Sequence, residues 1–124
     1  MNQKIHLINA KIKDNELLME IEESILLDDY KASGQMLVDS DALSFIYLLE
    51  HKDHYIYLVI ENKWWNKMKE SKELGLPVFL TNGNQKMLLE QFLEELDYLV
   101  ENIEGNSNYG EEMGKAVELV FLEK

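Results

Sequence analysis

The residues of this chain best suited to chemistry sit at the two ends of one apolar run. Asp39-Ser40-Asp41 invites a calcium loop: counted from Asp39 as position one, Asp41 is position three and Glu50 is position twelve, as in an EF-hand. Position six is Ser44 where that loop needs glycine, and Leu43, Phe45, Ile46 and Tyr47 fill its interior with strand formers. The acids therefore read as a turn between strands. His51 and His54 flank Asp53 at a spacing that suits a metal, with Glu50 the nearest third ligand. Structural sites close with four ligands and catalytic ones use three plus water, so exposed loop histidines are the better account. His6 has no acid beside it and reads as structural. No metal is expected.

Gly105-Asn106-Ser107-Asn108-Tyr109-Gly110 has the look of a phosphate loop ahead of a helix. A P-loop continues with Lys and Ser/Thr, whereas Glu111 and Glu112 follow here and occupy the field an anion would use. Doublets such as Glu22-Glu23, Asp28-Asp29 and Glu94-Glu95 offer acid and base groups, but adjacent helical residues do not face each other. None of the serines lies in a Gly-x-Ser-x-Gly elbow. Trp64-Trp65 lies among Lys63, Lys67, Lys69 and Lys72, an arrangement that can stack single-stranded nucleic acid. The acid excess elsewhere repels phosphate, so packing of these rings is favoured. No catalytic residue and no cofactor emerges.

Composition sets the frame for those residues. At 124 residues the chain fits a single domain over 1–124, burying roughly two-thirds of its unfolded surface. Cysteine is absent, which removes disulfides, thiolate catalysis and sulfur-ligated zinc. Net charge is −12, and all 12 basic residues are lysine. Without the guanidinium fork, an acidic chain is poorly equipped for DNA, RNA or anionic lipid. The longest apolar run, Tyr55 to Ile60, is far short of the ~20 residues that span a membrane. The first residues lack a basic stretch followed by a long apolar one. A cytoplasmic protein with no membrane and no nucleic-acid partner is expected.

The elements that must position the side chains are β-rich in the first half and helical in the second, which predicts an α+β fold: an antiparallel sheet of five or six strands with two or three helices packed on one face. Early strands read as about 3–13, 16–22 and 35–39, and Ile25-Leu26-Leu27 is assigned to no element. The central pair, 43–50 and 54–61, is joined by His51-Lys52-Asp53. If Glu50 faces His54, then Tyr47 lies beside Tyr57 and Phe45 beside Val59. Phe45, Tyr47, Leu49, Tyr55, Tyr57 and Val59 then share a half-wet face, and Ile46, Leu48, Ile56, Leu58 and Ile60 share the core face. Asn62–Leu74 reads as a helix directing Trp64 and Met68 inward and stopped by Gly75, followed by an edge strand, 77–81. The segment from about 85 to 104 carries one broad apolar stripe through Leu88, Leu89, Phe92, Leu96 and Ile103 and reads as the best helix. Asn108 suits an N-cap, with Glu111 three residues on. Leu119 and Leu122 lie off the stripe of the last helix, which predicts a partly irregular ending.

Two strings, Gly34-Gln35-Met36-Leu37-Val38-Asp39-Ser40-Asp41-Ala42-Leu43-Ser44-Phe45-Ile46-Tyr47 and the run from Glu95 through Gly105 to Glu112, resemble the YjbL-like family of small acidic proteins from bacilli. The likeness runs the full length. It implies a cytoplasmic bacterial protein and brings no activity, cofactor or catalytic residue with it. The expected function is a non-catalytic protein-interaction or regulatory module, with Tyr47, Tyr55, Tyr57 and Trp65 as partner-binding residues because aromatic anchors dominate interfaces. The alternatives are a small enzyme whose pocket the sequence does not reveal, or an acidic DNA mimic.

Overall fold

The first long strand expected from the sequence breaks at Leu7-Ile8, and that break organises the molecule. In the computed structural model, which describes residues 3–122, β1 spans Gln3–His6 and β2 spans Asn9–Lys13. The Leu7 N–H donates to Val59 O at 3.4 Å, and the next N–H, of Ile8, donates to Glu20 O at 2.8 Å. Consecutive residues thus serve different sheets. One sheet has the order β1-β6-β5-β4 and the other β2-β3-β7-β8. The fold is α+β with two four-stranded mixed sheets, which corrects the expected single antiparallel sheet. Two parallel pairings, β1 with β6 and β3 with β7, make the difference.

In the second sheet, β3 (Glu16–Glu20) follows β2 through Asp14-Asn15. Both turn residues have positive φ, the geometry of a two-residue hairpin loop. β7 (Val78–Thr81) lies between β3 and β8 (Lys86–Leu88), so it is an interior strand and not an edge. Pro77 is tolerated because it lies just outside the strand and only accepts a bond, from Leu17 N–H at 2.9 Å.

The first sheet holds β4 (Tyr30–Asp39), β5 (Ser44–His51) and β6 (His54–Glu61). β4 is longer than the expected 35–39 and shifts register between Ala32 and Met36. Gly34 lies in that bulge with φ +79°, and a Cβ there would meet Gln91 Oε1 at 2.9 Å. Between β3 and β4, the unassigned Ile25-Leu26-Leu27 lies in a crossover loop clamped by two amides. Asn82 Nδ2 donates to Ile25 O at 2.7 Å, and Gln85 Oε1 accepts from Leu27 N–H at 2.7 Å.

A 3-10 turn at Asn62–Trp64 precedes α1 (Trp65–Leu74). This rotates the helix relative to the expected one: Trp65 and Met68 are buried, and Trp64 is only half-buried. Gly75, left-handed at φ 66°, ends it, with Leu76 N–H reaching back to Ser71 O at 2.9 Å in a Schellman pattern. α2 spans only Phe92–Ile103. Leu88, which fits the helical stripe, pairs with β7 instead as part of β8, and Gln91 at φ 61° separates strand from helix. The last segment is α3 (Glu111–Val117) followed by a π turn over Glu118–Leu122, with Gly110 at the cap where Asn108 was expected. The buried apolar side chains of all three helices and both inner sheet faces form one core cluster.

Candidate functional site

β5 and β6 are joined by the two residues Lys52-Asp53, with Lys52 at φ 56°. His51 therefore faces His54, Leu49 faces Ile56, Tyr47 faces Leu58 and Phe45 faces Ile60. The register is one position away from the expected one, and such a slip exchanges the faces of one strand relative to the other. Phe45, Tyr47 and Leu49 join Ile56, Leu58 and Ile60 in the core, all at 0% exposure.

Two of the four expected partner-binding residues are therefore interior. Tyr47 stacks on Phe92 at 5.8 Å between ring centroids, accepts the Gly34 N–H at 3.1 Å and donates to Glu90 O at 2.6 Å. Burial lifts its hydroxyl from 10.0 to about 12; the Gly34 N–H bond pulls the other way, and the charges of Glu90 and Glu95 add to the rise. Trp65, also at 0% exposure, packs on Phe45 at 4.8 Å and on Phe121 at 5.9 Å, and its Nε1–H donates to Ile60 O. These rings are structural anchors. Tyr55 and Tyr57 remain on the outer face, the first 42% exposed and the second half-buried.

That outer face has an ordered composition. Reading across the strands, one row is Glu61, Ser44 and Asp39, and the next is His6, Val59, Ile46 and Leu37. Lys4, Tyr57 and Leu48 make a third row that ends at the β4 bulge, and Tyr55, Glu50 and Lys31 make the fourth. Two apolar rows thus lie between two polar ones. Ile46, Leu48 and Val59 are 5–7% exposed, shut in by their neighbours, yet none belongs to the core cluster that takes in the buried apolar side chains of the helices. Leu37, beside Ile46, is 42% exposed. The sequence reading missed this face because it assigned Ile46 and Leu48 to the core. The missed signal was turn length: two-residue hairpin loops are the commonest, and that choice alone sets the correct register.

The other candidates do not converge. Asp39 pairs with Ser44 at one end of β5, and His51 pairs with Tyr30 at the other. Asp39 Oδ1 accepts the Ala42 N–H at 3.2 Å within its own turn. His51 packs on Tyr30 at 4.6 Å and on His54 at 5.7 Å. Among the described residues, no group of three His, Asp or Glu is placed to hold a metal ion. In the segment that has the look of a phosphate loop, Asn106 Oδ1 accepts the Asn108 N–H at 3.0 Å, closing a local turn. A groove of about 490 Å³ lies between that turn and α3, lined by Asn106, Ser107, Gly114, Lys115 and Glu118. Lys115 is paired with Glu111 at 3.1 Å on the exposed surface. No helix among the described residues is long and apolar enough to cross a membrane.

Comparison with known proteins finds a family model over residues 5–121, that of UPF0738, a family of unknown function. The UPF0738 protein YjbL of Bacillus subtilis is 41% identical over 122 residues, covering 98% of this chain and all of the relative. The UPF0738 protein of Bacillus cytotoxicus is likewise 41% identical over 123 residues, with the same coverage. That of Bacillus licheniformis is 38% identical over 124 residues, again covering 98% and 100%. No solved structure matches.

Proposed function

The chain belongs to UPF0738, and from that starting point we propose that it is a non-catalytic protein-interaction module of the bacterial cytoplasm, one domain over 1–124. The observation that carries this reading is the outer face of the first sheet. A sheet solvated on one side ordinarily alternates apolar-in with polar-out, whereas here the middle outward positions of both central strands are Ile46, Leu48, Tyr57 and Val59. Branched side chains floor this outward face, and the accessible Leu37 and Tyr55 flank them inside a polar border, the make-up of a small interface patch. In this reading Tyr55 and Tyr57 contact the partner, while Tyr47 and Trp65 hold the strands that present them.

The test is site-specific photo-crosslinking in living cells. A photoreactive side chain at position 37 or 55 is expected to give one discrete adduct. The same group at Leu119, 68% exposed on the π turn, is expected to give none. Equal labelling at all three positions, or no adduct anywhere, overturns the reading.

A further inference from the structure

We infer that the occupant of this outer face is a second copy of the chain, packed face to face about a two-fold axis. The inference rests on the docking reading above and adds the partner's identity. A closed two-fold contact requires a patch complementary to itself. The four rows meet that requirement when the axis lies in the plane between the sheets, across the strands, and passes between the two apolar rows. Each row then falls on its opposite number: the row of Glu61, Ser44 and Asp39 lies over the other copy's Tyr55, Glu50 and Lys31. Asp39 meets Lys31 twice, once on each side of the axis. Glu61 meets the Tyr55 hydroxyl, and no carboxylate lies directly over another. In the middle, Ile46 falls on Leu48 and Val59 on Tyr57.

Charge and size agree with this. The chain as a whole has 24 acids against 12 lysines, but this face sets Lys4 and Lys31 against Asp39, Glu50 and Glu61. Glu61 is also paired with Lys63 at 3.8 Å. The face is close to neutral while the chain as a whole is strongly acidic, so two copies approach there with less repulsion than between its acidic regions. Four strands about 4.8 Å apart and four rows about 6.8 Å apart give a footprint of roughly 450 Å² per copy, short of the ~1,000 Å² total at which stable specific interfaces begin and in the range of a weak contact. Because Ile46, Leu48 and Val59 are already shut in, the new burial comes from Leu37, Tyr55, Tyr57 and the lysine stems. A reversible dimer is the expected outcome.

Sedimentation velocity on the purified full chain, from about 1 to 500 µM at low and near-physiological salt, tests this. The expected result is a monomer–dimer equilibrium that tightens as salt rises, because screening weakens the repulsion between two chains of charge −12. Lys31→Glu should weaken it about tenfold by opposing Asp39, and Lys31→Glu with Asp39→Lys should restore it. Circular dichroism melts of both variants show whether they fold. Monomer at every concentration, or a dimer indifferent to Lys31→Glu, overturns the second-copy inference. If the chain stays monomeric but residue 55 crosslinks to a different protein in cells, only the second-copy identity fails and the docking face stands. If residue 55 crosslinks to nothing, both fail.

Discussion

Tyr47 shows how a residue chosen for its chemistry can turn out to hold the fold. Its hydroxyl joins the N–H of Gly34 in the β4 bulge to the carbonyl of Glu90 ahead of α2. Tyr47→Phe keeps the ring on Phe92 but leaves both backbone groups unpaired, and should cost about 1–3 kcal/mol in urea denaturation. Because the folded chain raises this hydroxyl from 10.0 to about 12, it stays protonated where the unfolded chain ionises. Its contribution is complete below about pH 10 and is lost as pH climbs through 12, so alkaline melts of wild type should steepen there relative to Tyr47→Phe. Gly34→Ala presses a Cβ on Gln91 at positive φ and should cost about 1–2 kcal/mol; an unchanged midpoint would show that the bulge relaxes freely. A buried tyrosine was not legible in the sequence, since the same ring suits a wet face equally well and only the register decides between them.

At the scale of elements, what is local was legible and what is non-local was not. The Asp14-Asn15 hairpin, the helix stop at Gly75 and the irregular last turns follow from neighbouring residues, and the structure has each of them. The β5–β6 register is not set by the strands themselves, because both are apolar on both faces and an unbroken run such as Tyr55–Ile60 carries no alternation; only the length of the turn between them fixes it. The start of α2 was misplaced for a related reason: Leu88 and Leu89 fit a helical stripe, but β7 pairs with Leu88 and its Val78 carbonyl accepts the Leu89 N–H. The tight turn yields its own prediction. Lys52 holds φ 56° without being glycine, so Lys52→Gly should raise stability by up to about 1 kcal/mol with the register unchanged. Destabilisation would mean that the lysine side chain contributes more than its backbone strain costs. In the crossover latch, Gln85→Ala strips Leu27 N–H of its acceptor and Asn82 of one of its partners, and should cost about 1–3 kcal/mol.

At the scale of the whole molecule, the succession of strand signals and then helix signals along the chain pointed to the α+β class but not to its division into two sheets. That division depends on strands pairing across long sequence separations, β1 with β6 and β3 with β7, which no local pattern encodes. Net charge acts at this scale too. With −12 spread over 124 residues, self-repulsion opposes the compact state, so the melting temperature should rise by a few degrees between low salt and about 0.2 M NaCl. A flat or falling response would mean that local ion pairs, such as Lys72 with Asp97 at 2.7 Å, outweigh the overall field.

The crossing at Leu7-Ile8 also fixes an order of events during synthesis. Residues 3–6 are synthesised well before the strand they lie beside, which ends at Glu61. Glu16–Glu20 must likewise wait for Val78–Thr81. At roughly 5–20 residues per second, β1 and the β7-facing edge of β3 wait several seconds for these partners. Each parallel pairing thus closes only after its earlier strand has waited for a distant partner, and those waiting edges are what a growing polypeptide most needs to have shielded.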